Sequence, residues 1–296
     1  MRWKGRRRSS NVKDVRHTRQ RARFAGGSSR GLIGIVGWVL RTFGIKGVVV
    51  LGALGFAGWQ LGLLDPAMLL GGAGQVRSAN YSPSPQEEEQ YQFVEVVLAD
   101  TEDMWKREFQ RIGRQYREPT LVIFRDQYTS GCGRADARMG PFYCPRDQSI
   151  YIDLGFYDDL AQQFDAPGDF AQAFVIAHEI GHHVQNLLGL VEKVASRRGQ
   201  PDYNEYSVRL ELQADYLAGA WARHNQRYLD AGDIEEAMRA ANQIGDDAIQ
   251  KRTQGRVTPA AFTHGTSEQR MRWFKLGFKN GTLEGGDTFR LPYDQL

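Results

Sequence analysis

Cysteine is scarce, with only Cys132 and Cys144 in 296 residues. Two thiols exclude a disulfide-dense scaffold and a four-thiolate zinc site. Their spacing is compatible with a single loop-closing disulfide if this part of the chain lies in an oxidising compartment. Internal repeats are absent, which excludes a solenoid or propeller, and the 33 glycines follow no collagen-like period. Acid is nearly missing from the first 46 residues, where Asp14 stands alone among thirteen Lys and Arg. That segment sums to +12 and the rest of the chain to −9, although the total is only +3. The basic character therefore belongs to a tail, the main domain is acidic, and no nucleic-acid partner is expected.

Long apolar runs are also rare. One stands out, GVVVLGALGFAGWQLGLL at residues 47–64, without a formal charge. As a helix it would extend about 27 Å, close to a hydrocarbon core of about 30 Å. The preceding segment at 31–40 is apolar but short, and reads as interfacial or juxtamembrane. These patterns predict a basic cytoplasmic tail and juxtamembrane segment (1–46), a transmembrane helix (47–64) and a linker (65–86). A main domain follows at 87–296, outside the membrane. The expected location is a bacterial inner membrane, single-pass, with membrane lipids contacting the span and the basic tail. A cleaved signal and a buried or hairpin-like apolar element are the other readings.

The main domain reads as α+β, mainly helical with a small sheet. Apolar residues from Phe93 to Ile112 recur at helical spacing, and 120–124 and 149–154 read as strands, expected to pair antiparallel. Asp169 is the expected N-cap of a helix over 168–190, followed by helices from about Tyr206, over 233–249, and from Thr266. Thr266 and Gln269 form a capping-box pattern. The segment GPFYC or the 149–154 strand is the candidate sheet edge for pairing with an extended substrate.

Chemistry concentrates in His178-Glu179-Ile180-Gly181-His182. Two His four apart share a helix face and can hold one Zn²⁺, with Glu179 beside them as general base. Gly181 lowers helix propensity by about 1 kcal/mol relative to Ala, which close packing against a second helix would explain. Glu211 supplies a third ligand and leaves one position open to water. Asp215, one turn on, can accept a proton from the distal nitrogen of His178 or His182, or form a solvent-facing ion pair. His183 points about 100° away from His182 around the helix, which suits a surface or core-edge role. His264 lies in a Gly-containing loop and either stabilises an oxyanion or caps and packs; Arg270 either contacts a carboxylate or supports the site wall. Together these predict peptide-bond hydrolysis by metal-activated water, as an endopeptidase on extracytoplasmic proteins or peptides. The alternative is a zinc-stabilised, non-catalytic binding or assembly module at the membrane. Oligomeric state is not set by any of these features.

The basic head, the single span, SGCGRADARMGPFYCPRDQSIYIDL, AHEIGHHVQ and ELQAD together resemble the neutral zinc metallopeptidase family of bacterial membrane-anchored proteins. The resemblance covers nearly the whole chain and implies a zincin-like metallopeptidase domain. The site is also similar to the gluzincin group, which includes membrane-associated heat-shock and prenyl-protein proteases. That likeness implies Glu211 as the ligand on a second helix and Asp215 as support for a ligand His. The group's Thr-His-Pro loop and later Arg correspond to Thr263-His264-Gly265 and Arg270, with Pro replaced by Gly. The multi-span core of those proteases has no counterpart here.

Overall fold

A computed structural model describes residues 1–17, 81–163 and 168–296. Helix α1 (Pro85–Arg111) starts where Ser84 accepts from the Glu87 N–H and Glu87 accepts from the Ser84 N–H, with Pro85 in the first turn. It buries Phe93, Val97, Met104, Trp105 and Phe109, the face that the apolar spacing predicts.

Among the described residues, six short strands follow the alternation rule. They are β1 (Val12–Asp14), β2 (Thr120–Phe124), β3 (Gln127–Ser130), β4 (Gly133–Asp136), β5 (Phe142–Cys144) and β6 (Ser149–Asp153). One sheet has the order β1-β2-β6-β5, and β3 and β4 form a separate ribbon. Leu121, Ile123, Ile150 and Ile152 face the main core, while Val122, Phe124, Tyr151 and Cys144 build a second small cluster on the other face. Cys132 and Cys144 are disulfide-bonded, with Cα atoms 5.7 Å apart, tying the ribbon turn to β5.

The expected antiparallel pairing is corrected to a mixed sheet. β1–β2 and β2–β6 are parallel, and only β5–β6 is antiparallel. Parallel pairing needs long crossover connections, which local sequence does not announce. β5 is one edge of the sheet and β1 the other; β6 lies between β2 and β5.

The remaining helices are α2 (Phe156–Gln163), α3 (Asp169–Leu187), α4 (Leu190–Ala195), α5 (Tyr203–His224), α6 (Asp233–Gln243), α7 (Asp246–Gln254) and α8 (Ser267–Asn280). Gly168, not Asp169, is the N-cap of α3. The single helix expected over 233–249 is two. It breaks because Asp246 and Asp247 turn to the 263–267 loop, where the Asp246 N–H donates to the Gly265 carbonyl at 2.9 Å and Asp247 accepts from Ser267 N–H at 2.8 Å. Thr266 and Gln269 do form a capping box at the start of α8.

The first residues overturn the membrane topology. Residues 1–18 and 82–296 make one unit. β1 is a strand of the domain's own sheet, and Val12, Lys13 and Asp14 pair with Leu121, Val122 and Ile123. Arg6, Arg7 and Arg8 meet Asp100, Glu102, Asp103 and Glu95 of α1, and the Met1 backbone nitrogen lies 2.7 Å from Asp169. A head built into the domain cannot lie across a bilayer from it. The expected span at 47–64 lies outside the described residues. Among the described residues, no helix is long and apolar enough to cross a membrane. The membrane-anchored description, the transmembrane helix before the domain, the inner-membrane single-pass location and the lipid partner are therefore withdrawn. Arg6, Arg7 and Arg8 serve ion pairs with an acidic helix instead.

Candidate metal centre

Helix α3 is apolar for most of its length and mostly buried, so its buried polar residues must find partners inside the fold. His178 and Glu179 are 6% and 8% exposed. Helix α5 approaches α3 where Gly181 faces Ala214: a Cβ on Gly181 would lie 3.1 Å from the Ala214 Cα and carbonyl oxygen. The missing side chain lets the helices come close, and this approach carries Glu211 up to the two His.

The Glu211 carboxylate spans both rings, with Oε2 3.2 Å from His178 Nε2 and Oε1 3.5 Å from His182 Nε2. A tetrahedral ion bound at about 2.0–2.1 Å would set its ligands about 3.3 Å apart. The two His–Glu separations are thus close to what a zinc ion needs, and the three donor atoms all lie within 4.8 Å of one another. Two imidazoles and one carboxylate are also the donor set that zinc accepts. The electrostatics agree. Burial alone would raise the Glu211 carboxyl, yet the neighbouring His182 and His178 hold it well below the usual range. Burial opposes charge on His178, and its bonds to Asp215 and Glu211 nevertheless raise it to about 10. A slot that draws protons onto its imidazoles is one that favours a cation.

Each ring is fixed through its far nitrogen. His178 Nδ1–H donates to Asp215 at 2.9 Å, and His182 Nδ1–H donates to Gln185 Oε1 at 2.9 Å. Both Nε2 atoms are thereby left facing Glu211. Asp215 is fully buried and is gripped from behind by Arg270, through Nε at 2.8 Å and Nη2 at 2.9 Å. Burial would raise Asp215, and the Arg270 guanidinium and the His178 ring hold it below its ordinary value.

A cleft of about 480 Å³ opens over this cluster, lined by the polar Glu179, His264 and Arg270 and by the apolar Met139, Phe142, Val175 and Ile244. Burial raises the Glu179 carboxyl. His264 is half exposed, and its Nδ1 faces Asp246 Oδ1 at 3.2 Å. Asp246 also accepts the backbone N–H groups of Thr263, His264 and Gly265, at 2.7, 2.6 and 3.1 Å. Gly265 has φ +90° and donates its N–H, and proline could do neither. The departure from Thr-His-Pro is therefore built into this loop.

The sequence patterns single out His178, Glu179, His182, Glu211, Asp215, His264 and Arg270; six of them line one cleft, and Asp215 is buried behind His178. Gln185 and Asp246 escaped that reading. Gln185 stands three residues after His182, a helical spacing that could have flagged it; Asp246 has no local signal, being an acid at a helix start like many others. His183 and His224 face elsewhere, His224 reaching the Gly281 carbonyl at 2.8 Å.

Residues 1–289 match the family described as "Putative neutral zinc metallopeptidase". The chain belongs to this zinc metallopeptidase family. It is 45% identical over 294 residues to the uncharacterized protein YpfJ of Escherichia coli K12, covering 98% of this chain and 99% of that one. The uncharacterized protein Rv2575 of Mycobacterium tuberculosis H37Rv is 41% identical over 187 residues, 59% of this chain and 63% of its own. No solved structure matches. Family membership and the metal-competent cluster together support a zinc-binding enzyme family.

Proposed function

We propose that this chain hydrolyses internal peptide bonds of protein or peptide substrates, with one zinc ion held by His178, His182 and Glu211. The observation that carries the reading is the Glu211 carboxylate standing across both His Nε2 atoms beneath a cleft that Glu179 and His264 also line.

Zinc bound there supplies a Lewis acid that acidifies water and polarises a carbonyl. Glu179, its carboxyl raised by burial, takes the proton from the attacking water and returns it to the leaving amine. His264 donates from Nε2 to the oxygen that gains charge, because Asp246 occupies its Nδ1. Burial opposes charge on His264 less than the Asp246 hydrogen bond favours it, so the ring holds its proton more firmly than a free imidazole. Asp215 and Arg270 keep the His178 ring oriented. The free edge of β5 offers backbone groups to an extended chain lying in the cleft.

The test uses the full chain, since removing residues 1–17 would strip a strand from the sheet. Elemental analysis should find about one zinc per chain, sharply reduced in His182→Ala and Glu211→Ala. Cleavage of an unfolded protein substrate should vanish in Glu179→Gln while zinc is retained. Retained zinc with no cleavage by wild type would leave a zinc-stabilised, non-catalytic module. A folded wild type that takes up no zinc would refute the reading altogether.

A further inference from the structure

Two glutamines of the helical motifs carry no role in the reaction proposed above. Gln185 closes AHEIGHHVQ, and Gln213 is central in ELQAD. Both are buried, Gln185 completely. A buried amide must satisfy one oxygen and two N–H protons, and its two ends can exchange places. A reversed Gln185 would donate to His182 Nδ1. The ring would then carry its proton on Nε2, the nitrogen a metal needs. Asp215 puts no such choice to His178, because an ionised carboxylate only accepts.

The partners of Gln185 settle its direction. Its Nε2 donates to the Leu210 carbonyl at 2.6 Å and to Gln213 Oε1 at 3.1 Å. Both protons are spent, which leaves Oε1 to accept from His182 Nδ1–H at 2.9 Å. Gln213 is directed in turn, because its Nε2 donates to the Gly286 carbonyl at 2.9 Å. Donation therefore runs one way, from His182 through Gln185 and Gln213 to Gly286, and ends on a peptide oxygen that can only accept. Close packing brings that oxygen in. A Cβ on Gly286 would lie 2.4 Å from Tyr216 Cδ1, so only glycine lets the chain lie this close to α5. Thr288 Oγ1 holds the same segment by donating to the Arg209 carbonyl at 2.6 Å, one turn before Gln213.

We propose that Gln185 and Gln213 are positioning residues that lock His182 in its Nδ1–H form, with the Gly286 carbonyl of the C-terminal segment setting the direction, so that Nε2 offers its lone pair to the metal. The effect on affinity rests on the zinc reading of the cluster, and the imidazole protons judge the lock without it.

NMR of the full chain with isotope-labelled histidine shows which ring nitrogens carry protons, and the His182 signals are those lost in His182→Ala. In metal-free wild type, His182 Nδ1 should carry a proton protected from exchange with water. An unprotonated Nδ1 overturns the lock, and this measurement needs neither zinc nor a variant that folds. Gln185→Leu should lower zinc affinity about 10- to 100-fold, read by competition with a chelator. It should also leave the His182 Nδ1 proton exchanging freely, while the His178 Nδ1 proton on Asp215 keeps its wild-type position. Gln213→Leu should lower affinity by less, since the Leu210 carbonyl still directs Gln185. Wild-type zinc affinity in a folded Gln185→Leu overturns the positioning role. A change at both rings overturns it too, because loosened packing then accounts for the loss. If wild type takes up no zinc, the metal reading fails by itself, and the His182 proton still decides for or against the lock.

Discussion

Gly181→Ala tests how the metal cluster is assembled. The substitution adds one methyl group at the crossing of α3 and α5. An ideal Cβ there would meet the Ala214 Cα and carbonyl oxygen at 3.1 Å and its Cβ at 3.3 Å. Two effects oppose each other. Alanine favours the helix by about 1 kcal/mol over glycine, whereas overpacking a closed interior costs about 1–3 kcal/mol. The obstacle is helix backbone, which cannot swing aside as a side-chain tip can, so overpacking should win by roughly 1 kcal/mol. The helices then separate by a few tenths of an ångström. Glu211 sits one turn before Ala214 on α5, and metal sites tolerate about 0.2 Å in ligand distance. Zinc affinity should fall about tenfold, or about 1.4 kcal/mol, measured by competition with a chelator of known affinity. The metal-free protein should melt at a lower temperature. Unchanged zinc affinity together with a raised melting temperature would refute the close approach as the device that delivers Glu211.

Other perturbations separate the supporting parts. Asp215→Asn leaves the buried Arg270 without its counter-charge, so the denaturant midpoint should drop by the equivalent of about 3 kcal/mol, and zinc affinity should fall about 10- to 100-fold; retention of both would show that the Asp215–Arg270 pair is dispensable. Burial pushes His183 down to about 4 even though its Nε2–H has the Arg117 carbonyl as partner. Because this lies below the unfolded value of about 6.5, its contribution is complete above that pH and is lost as pH falls toward 4, about 3 kcal/mol in all. Urea unfolding of wild type should show this slope, and His183→Gln should lack it. Deleting residues 1–17 removes buried Met1 and Val15 and uncovers β2, for a loss of about 3–4 kcal/mol. That corresponds to melting on the order of 10 °C lower; equal melting of the shortened and full chains would show that β1 is not part of the stable domain.

The helical cluster was legible because its information is local. His178 and His182 share a face by helical period alone, as do Glu211 and Asp215, and a glycine inside an apolar helix already signals a close neighbour. Capping chemistry marked the start of α8, since Thr266 and Gln269 act within one turn. The same local reading misjudged the head of the chain. A run of Arg and Lys before an apolar stretch has the composition of a topogenic tail, whether or not acids elsewhere in the chain complement it. Only folding brings Arg6, Arg7 and Arg8 to α1, more than eighty residues away in sequence.

The sequence by itself determined which residues could bind a metal and which helix faces they occupy, because side-chain chemistry and helical period require no partner. The tertiary structure decided what those residues face. It set Gln185 behind His182, Asp246 behind His264 and Arg270 behind Asp215. It also paired β1 with β2 in parallel, across more than a hundred residues. Such pairings come from burial, where each polar group enclosed by the fold must find its partner among residues that chain order keeps far apart.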